Sequence, residues 1–239
     1  MSRRASAFWL AALLLLAIDQ AAAEPWASVR VGVGVDVVRN ISAAGIGTGE
    51  RFGADTDGAI ADTTVNDETP SVALGLHLRR GAWLLGVEAN WRYRMDWDVR
   101  ANTFSLGAVT NVYSNTETLA TFAQARREFG AGARWRWFVG GGVGLARHST
   151  QAEHIERARL GIPERRVRGD RRNRAAAWHL GAGATRALRG DWLWTLEYRF
   201  SHFGDVRSGP FPERAARLDA DYTSHELAVS WQRRLNRWP

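Results

Sequence analysis

The sequence predicts an all-β fold, an eight-stranded antiparallel transmembrane β-barrel, from three observations. Segments of period-two alternation recur along the chain, tight turns alternate with long polar connections, and the alternating faces set glycine and charge against large apolar groups. Repeated period-two patterning with almost no helical period argues for strands throughout.

The chain opens with MSRR, then AFWLAALLLLA, then AAA at 21–23. A positive start, a short apolar stretch and small residues at a cleavage position form an export signal. The apolar run falls short of the roughly 20 residues a spanning helix needs. Residues 1–23 are therefore expected to be a removable signal peptide and residues 24–239 the barrel domain. No later stretch is long and apolar enough for a transmembrane helix, so membrane residence requires strands.

Seven strands follow from alternation: SVRVGVGVDVV, PSVALGLHLRR, AWLLGVEANWR, RWRWFVGGGVGLAR, AAWHLGAGATR, WLWTLEYRF and SHELAVSWQRRL. An eighth is placed at 115–128, NTETLATFAQARRE, because the arrangement requires it. Its alternation is poor, and Leu119, Phe122, Ala123 and Arg126 fit one face of a helix equally well.

Turns are tight at RRGA, FGAGA and RGD, whereas the other connections span about 40–69, 93–114, 147–174 and 203–221. Short turns on one side and long loops on the other are the pattern of a transmembrane barrel, with the short side in the periplasm.

The two faces decide which side meets lipid. Arg30, Gly32, Gly34 and Asp36 share one face of the first strand, and Val31, Val33 and Val35 the other. The same division separates His77 from Leu76, Glu88 from Val87, and Glu197 and Arg199 from Leu196 and Tyr198. Glycines relieve crowding inside a narrow barrel while bulky apolar groups face lipid. Trp83, Trp135, Trp137, Trp192 and Trp231 fall toward the short turns, and Trp91, Trp178, Tyr198 and Phe200 toward the long loops, as two aromatic girdles do. Trp83 and Trp91 are read as the two ends of one strand.

Composition excludes several chemistries. With no cysteine there are no disulfides, thiolate nucleophiles or cysteine zinc sites. Lysine is absent too, so the basic side of the net charge of +7 is all arginine, which pairs bidentately with carboxylates and phosphates. No stacking platform for nucleic acid is recognisable. Anionic lipid or lipopolysaccharide is the more natural partner.

LEYRFSHFGDV at 196–206, with FVGGGVGLA and WHLGAGATRAL, resembles the small outer-membrane β-barrel family that includes opacity-type surface proteins and the OmpA transmembrane domain. The resemblance implies a barrel in a Gram-negative outer membrane. It departs from the OmpA pattern in having no peptidoglycan-binding domain, and its last residues, NRWP, do not end on an aromatic.

Glu88, Arg92, Arg136, Glu197, Arg199 and Glu226 share the inward face and are expected to form an ion-pair network that plugs the lumen. A narrow pore formed by rearranging those pairs is the alternative. No enzyme is expected. The pairs His148 with Ser149, Ser201 with His202, and Ser224 with His225 are adjacent on strands and so point to opposite faces. A lipid A hydrolase is thus the weakest reading. No cofactor is expected, and His148 and His154 lack the clustered partners of a zinc site.

The third long loop carries Arg165, Arg166, Arg168, Arg171 and Arg172, read as an anion-binding loop for lipopolysaccharide phosphates or an anionic host or surface ligand. A solvated loop without a ligand is an equal alternative. The expected protein is a monomer that acts in envelope structure or surface interaction.

Overall fold

The computed structural model describes residues 24–44, 65–103, 108–130, 134–156, 164–188, 190–209 and 217–235. The signal-peptide segment 1–23 lies outside the described residues. Eight antiparallel strands close into a barrel in sequence order: β1 (Glu24–Ala44), β2 (Val65–Arg80), β3 (Trp83–Thr103), β4 (Ala108–Phe129), β5 (Trp135–Glu156), β6 (Arg165–Ala187), β7 (Trp192–Ser208) and β8 (Arg217–Arg234). Closure of β8 onto β1 leaves no free edge around the spanning wall, whereas beyond Arg92 and His202, among the described residues, β3 pairs only with β4 and β7 only with β8.

The segment 115–128 lies in β4, and the helical alternative is excluded by its continuous pairing with β3 and β5. Most strands run past the predicted limits. Crossing the hydrocarbon takes about 9–11 tilted residues, and β5 and β6 have 22 and 23. Much of what reads as the loops 93–114, 147–174 and 203–221 is therefore strand projecting beyond the membrane. Trp91 accordingly sits within β3 and not at its end.

The barrel wall changes character along its length. In the short-turn half, Val31, Val33, Leu74, Leu76, Val143 and Leu180 stand exposed on the outside while Arg30, Glu88, Glu197 and Glu226 are buried within. In the projecting half the sense reverses. Met95, Trp97, Val112, Phe203, Leu218 and Tyr222 form an apolar cluster inside, and Asp96, Asp98 and Glu117 face out. The solvent explains the reversal, since the outside is lipid below and water above. Register shifts at Arg39/Ser42, Arg92/Met95 and His202/Gly204 help make it, because one extra residue exchanges the two faces of a strand. Before its shift β3 turns Glu88, Asn90 and Arg92 inward, and after it Met95 and Trp97.

Candidate functional site

The lumen holds one continuous chain of ion pairs. Glu197 meets Arg199 at 2.9 Å, Arg199 meets Glu88 at 2.6 Å, and Glu88 meets Arg30 at 3.0 Å. Arg30 in turn pairs with Glu226, Glu226 with Arg92, and Arg92 with Asp36 at 2.7 Å. The Tyr222 hydroxyl donates to Asp36 at 2.6 Å, and Gln124 donates to Glu88 at 3.4 Å. All of these ionic groups are buried, where an unpaired charge costs several kcal/mol, roughly, and a paired one much less.

Four strands, β1, β3, β7 and β8, supply the chain. Glycine on β1 makes the room. A Cβ at Gly32 would lie 2.6 Å from a Glu226 oxygen, and one at Gly34 would strike the Arg92 guanidinium.

Arg136 stands apart from this chain. It meets Glu128 at 3.1 Å near the short-turn mouth, where Glu128 also receives Arg79 at 2.7 and 3.0 Å and Arg126 at 3.3 Å. Between the two groups, Ser28, Arg30, His77, Glu88, His179 and Arg199 help line a cavity of about 30 Å³. Among the described residues the His179 ring nitrogens have no hydrogen-bond partner. A void of that size and polarity suits about one water.

The arginines expected in a third loop belong to strand β6, which opens at Arg165. They do not share a face. Arg166, Arg168 and Arg172 are exposed on the outer surface, whereas Arg171 is half-buried and donates to the Gly209 carbonyl at 3.2 Å. Arg168 is tied to Glu153 at 3.3 Å and Arg166 to Glu164 at 2.7 Å. Register also brings in Arg147 and Arg174, which stand directly opposite each other on β5 and β6. Among the described residues no carboxylate pairs with Arg147, Arg172 or Arg174.

The sequence matches the outer membrane protein beta-barrel domain family over residues 8–232. The chain belongs to that family. This outer-membrane β-barrel is similar in structure to Neisserial surface protein A at 11% identity, covering 89% of this chain and 99% of that one, with a TM-score of 0.44. It is similar to Ail, the attachment invasion locus protein of Yersinia pestis, at 9% identity, covering 87% and 99%, TM-score 0.40. It is also similar to OprG of Pseudomonas aeruginosa at 13% identity, covering 87% and 96%, TM-score 0.41. No curated relative matches the chain.

The adjacent serine and histidine pairs of this outer-membrane barrel do point to opposite sides of the wall. His148 is buried between the Thr118 hydroxyl at 2.9 Å and the Phe203 carbonyl at 3.0 Å, with Ser149 turned outward. His202 stacks outside on Trp178 while Ser201 is inside. A different pair, unmarked by sequence spacing, does meet: Ser28 Oγ and His77 Nε2 lie 2.8 Å apart in the lumen. The cavity beside it has room for about one water.

Sequence reasoning also missed Arg30, Asp36 and Tyr222 as network members. For Arg30 and Asp36 a signal existed, since they alternate with Gly32 and Gly34 on the inward face of β1. Tyr222 had none, because its inward direction follows from the register of β8 against β1.

Proposed function

We propose that this outer-membrane β-barrel is a non-enzymatic, structural and surface-interaction protein that works through the projecting ends of its strands. The observation that carries the reading is Arg147 standing opposite Arg174, with Arg172 one position along on the same outer face. Like charges directly opposed on a sheet are destabilising, and no carboxylate among the described residues offsets them. An external anion would.

The position of the arginines names the anion. Leu145 and Trp178 lie exposed just below them, so the arginines begin where the apolar band ends. That is the level of lipopolysaccharide phosphates, which guanidinium groups bind bidentately. Arg166 and Arg168, further along the hairpin, already pair with Glu164 and Glu153, so the unpaired charge is that of Arg147, Arg172 and Arg174. The likeness of LEYRFSHFGDV to opacity-type surface proteins agrees with a surface role.

Binding of the purified barrel to lipopolysaccharide vesicles tests the proposal. The combined variant Arg147→Ser, Arg172→Ser, Arg174→Ser should bind at least tenfold more weakly, and unchanged binding removes the idea. The second reading, a narrow pore, is favoured by the polar lumen around Glu88 and the cavity beside it. Steady single-channel currents in planar bilayers would support that reading over the first.

A further inference from the structure

The short-turn rim carries a repeated pairing that the surface role does not use. Three of the four upward strands, β3, β5 and β7, each open on a tryptophan, Trp83, Trp135 and Trp192. Register sets each opposite an arginine at the end of the next strand: Trp83 faces Arg127, Trp135 faces Arg186, and Trp192 faces Arg233. In all three the guanidinium lies over the ring, at 5.7, 5.5 and 5.5 Å from its centroid. Arg127 also lies 5.4 Å from the Phe129 ring, and Trp135 packs edge-on against Trp194 at 5.7 Å.

These arginines are not engaged otherwise. Among the described residues no carboxylate pairs with Arg127, Arg186 or Arg233. The inward arginines of the same rim differ, since Arg79, Arg126 and Arg136 converge on Glu128. The fourth hairpin differs as well. Trp26 is turned inward and 4% exposed, with Arg79 and Arg234 over its ring, and Arg234 lies 3.5 Å from Glu24.

We infer that Arg127, Arg186 and Arg233, each stacked on its tryptophan, form a belt of three sites for the phosphates of anionic phospholipids in the leaflet on the short-turn side. An indole at the lipid–water boundary holds the depth of the headgroups. A guanidinium held over a ring by its face keeps along its edge the N–H groups that fit a phosphate. Positive charge without a counter-ion selects an anionic headgroup over a zwitterionic one. The belt covers three hairpins and omits the corner at β1, where the charge is already neutralised.

The test is native mass spectrometry of the detergent-solubilised barrel after exposure to equal amounts of phosphatidylglycerol and phosphatidylethanolamine. The wild type should retain phosphatidylglycerol at least fivefold more, and the combined Arg127→Gln, Arg186→Gln, Arg233→Gln variant should lose the preference. Equal retention of both lipids by the wild type, or a preference unchanged in the variant, overturns the inference. A variant that does not fold leaves the wild type to decide. In phosphatidylcholine vesicles, brominated phosphatidylglycerol should quench its tryptophan fluorescence more than an equal fraction of brominated phosphatidylcholine, and equal quenching also overturns it. The Arg147→Ser, Arg172→Ser, Arg174→Ser variant should keep its phosphatidylglycerol preference, which separates this belt from the lipopolysaccharide reading; loss of the preference there overturns the assignment to the short-turn rim.

Discussion

Arg199 on β7 and Glu88 on β3 meet at 2.6 Å although their strands stand four apart in the closed sheet of eight, on opposite walls of the barrel. Sheet hydrogen bonds join only neighbours, so this contact is a strut across the lumen. Glu88 also holds Arg30, which ties β1 into the same strut.

Glu88→Gln should therefore destabilise the barrel by about 3–5 kcal/mol, the usual cost of leaving buried partners unmatched. Glu197→Gln should cost less, because among the described residues Glu197 pairs with Arg199 alone while Glu88 pairs with Arg199 and Arg30. Urea titration of folding into phosphatidylcholine vesicles measures both. A larger loss for Glu197→Gln would refute the assignment of Glu88 as the hub.

Gly34→Val should weaken the same network from the opposite side. The added Cβ would strike the Arg92 guanidinium and lie 2.7 Å from Ser224 Oγ. Overpacking of this kind costs about 1–3 kcal/mol. Combined with Arg92→Ala, which empties that space, the further cost of Gly34→Val should fall well below its cost alone. The same urea titration reads the difference.

Barrel class, strand number and lipid-facing side were legible in the sequence because lipid forces one face of every spanning strand to be apolar. Val29 to Val35 and Val72 to Leu76 announce themselves that way. The projecting ends were not legible, for two reasons. Where β3 passes its register shift, Met95 and Trp97 continue the alternation in the opposite phase, so the sequence pattern breaks at Arg92. In the upper part of β5, His148 and Thr150 face inward while Arg147 and Gln151 face outward, so both faces are polar and no alternation shows. For the lumen the inward face was readable, but the partner of each charge was not. Arg136 goes to Glu128 and not to the central chain because pairing depends on depth, which register sets.

The apolar cluster should act as the upper plug. Trp97 is 2% exposed and donates its indole N–H to Thr116 at 3.1 Å, with Phe203 and Tyr222 in the same cluster. The wild type should give no steady current in planar bilayers. Trp97→Ala should destabilise the projecting half by about 3–5 kcal/mol as a large buried side chain is removed, and any current it passes should be brief flicker. A wild-type barrel that conducts as well as Trp97→Ala would mean that this cluster does not close the lumen.

Gly204 tests whether the two halves of the barrel can be uncoupled. It sits at the register shift of β7 with a φ of +70°, and a Cβ there would lie 2.6 Å from the Ala175 Cβ and 2.7 Å from the Ala176 carbonyl. A side chain is thus opposed by backbone conformation and by the neighbouring strand together, and neither can give way without moving β6. The charged layer lies on the short-turn side of this shift, through Glu197 and Arg199, and the paired wall there continues to Trp192. Gly204→Val should accordingly keep the fast mobility of unboiled protein in detergent gels, the signature of an intact closed barrel. The projecting half should loosen instead, and its exposed arginines, Arg166, Arg168, Arg172 and Arg174, are trypsin sites. Trypsin added to folded protein in vesicles should cut within β6 faster in the variant than in the wild type. Loss of the mobility shift would show that the two halves fold as one unit, with the shift in β7 as much a part of the membrane wall as of the extension above it.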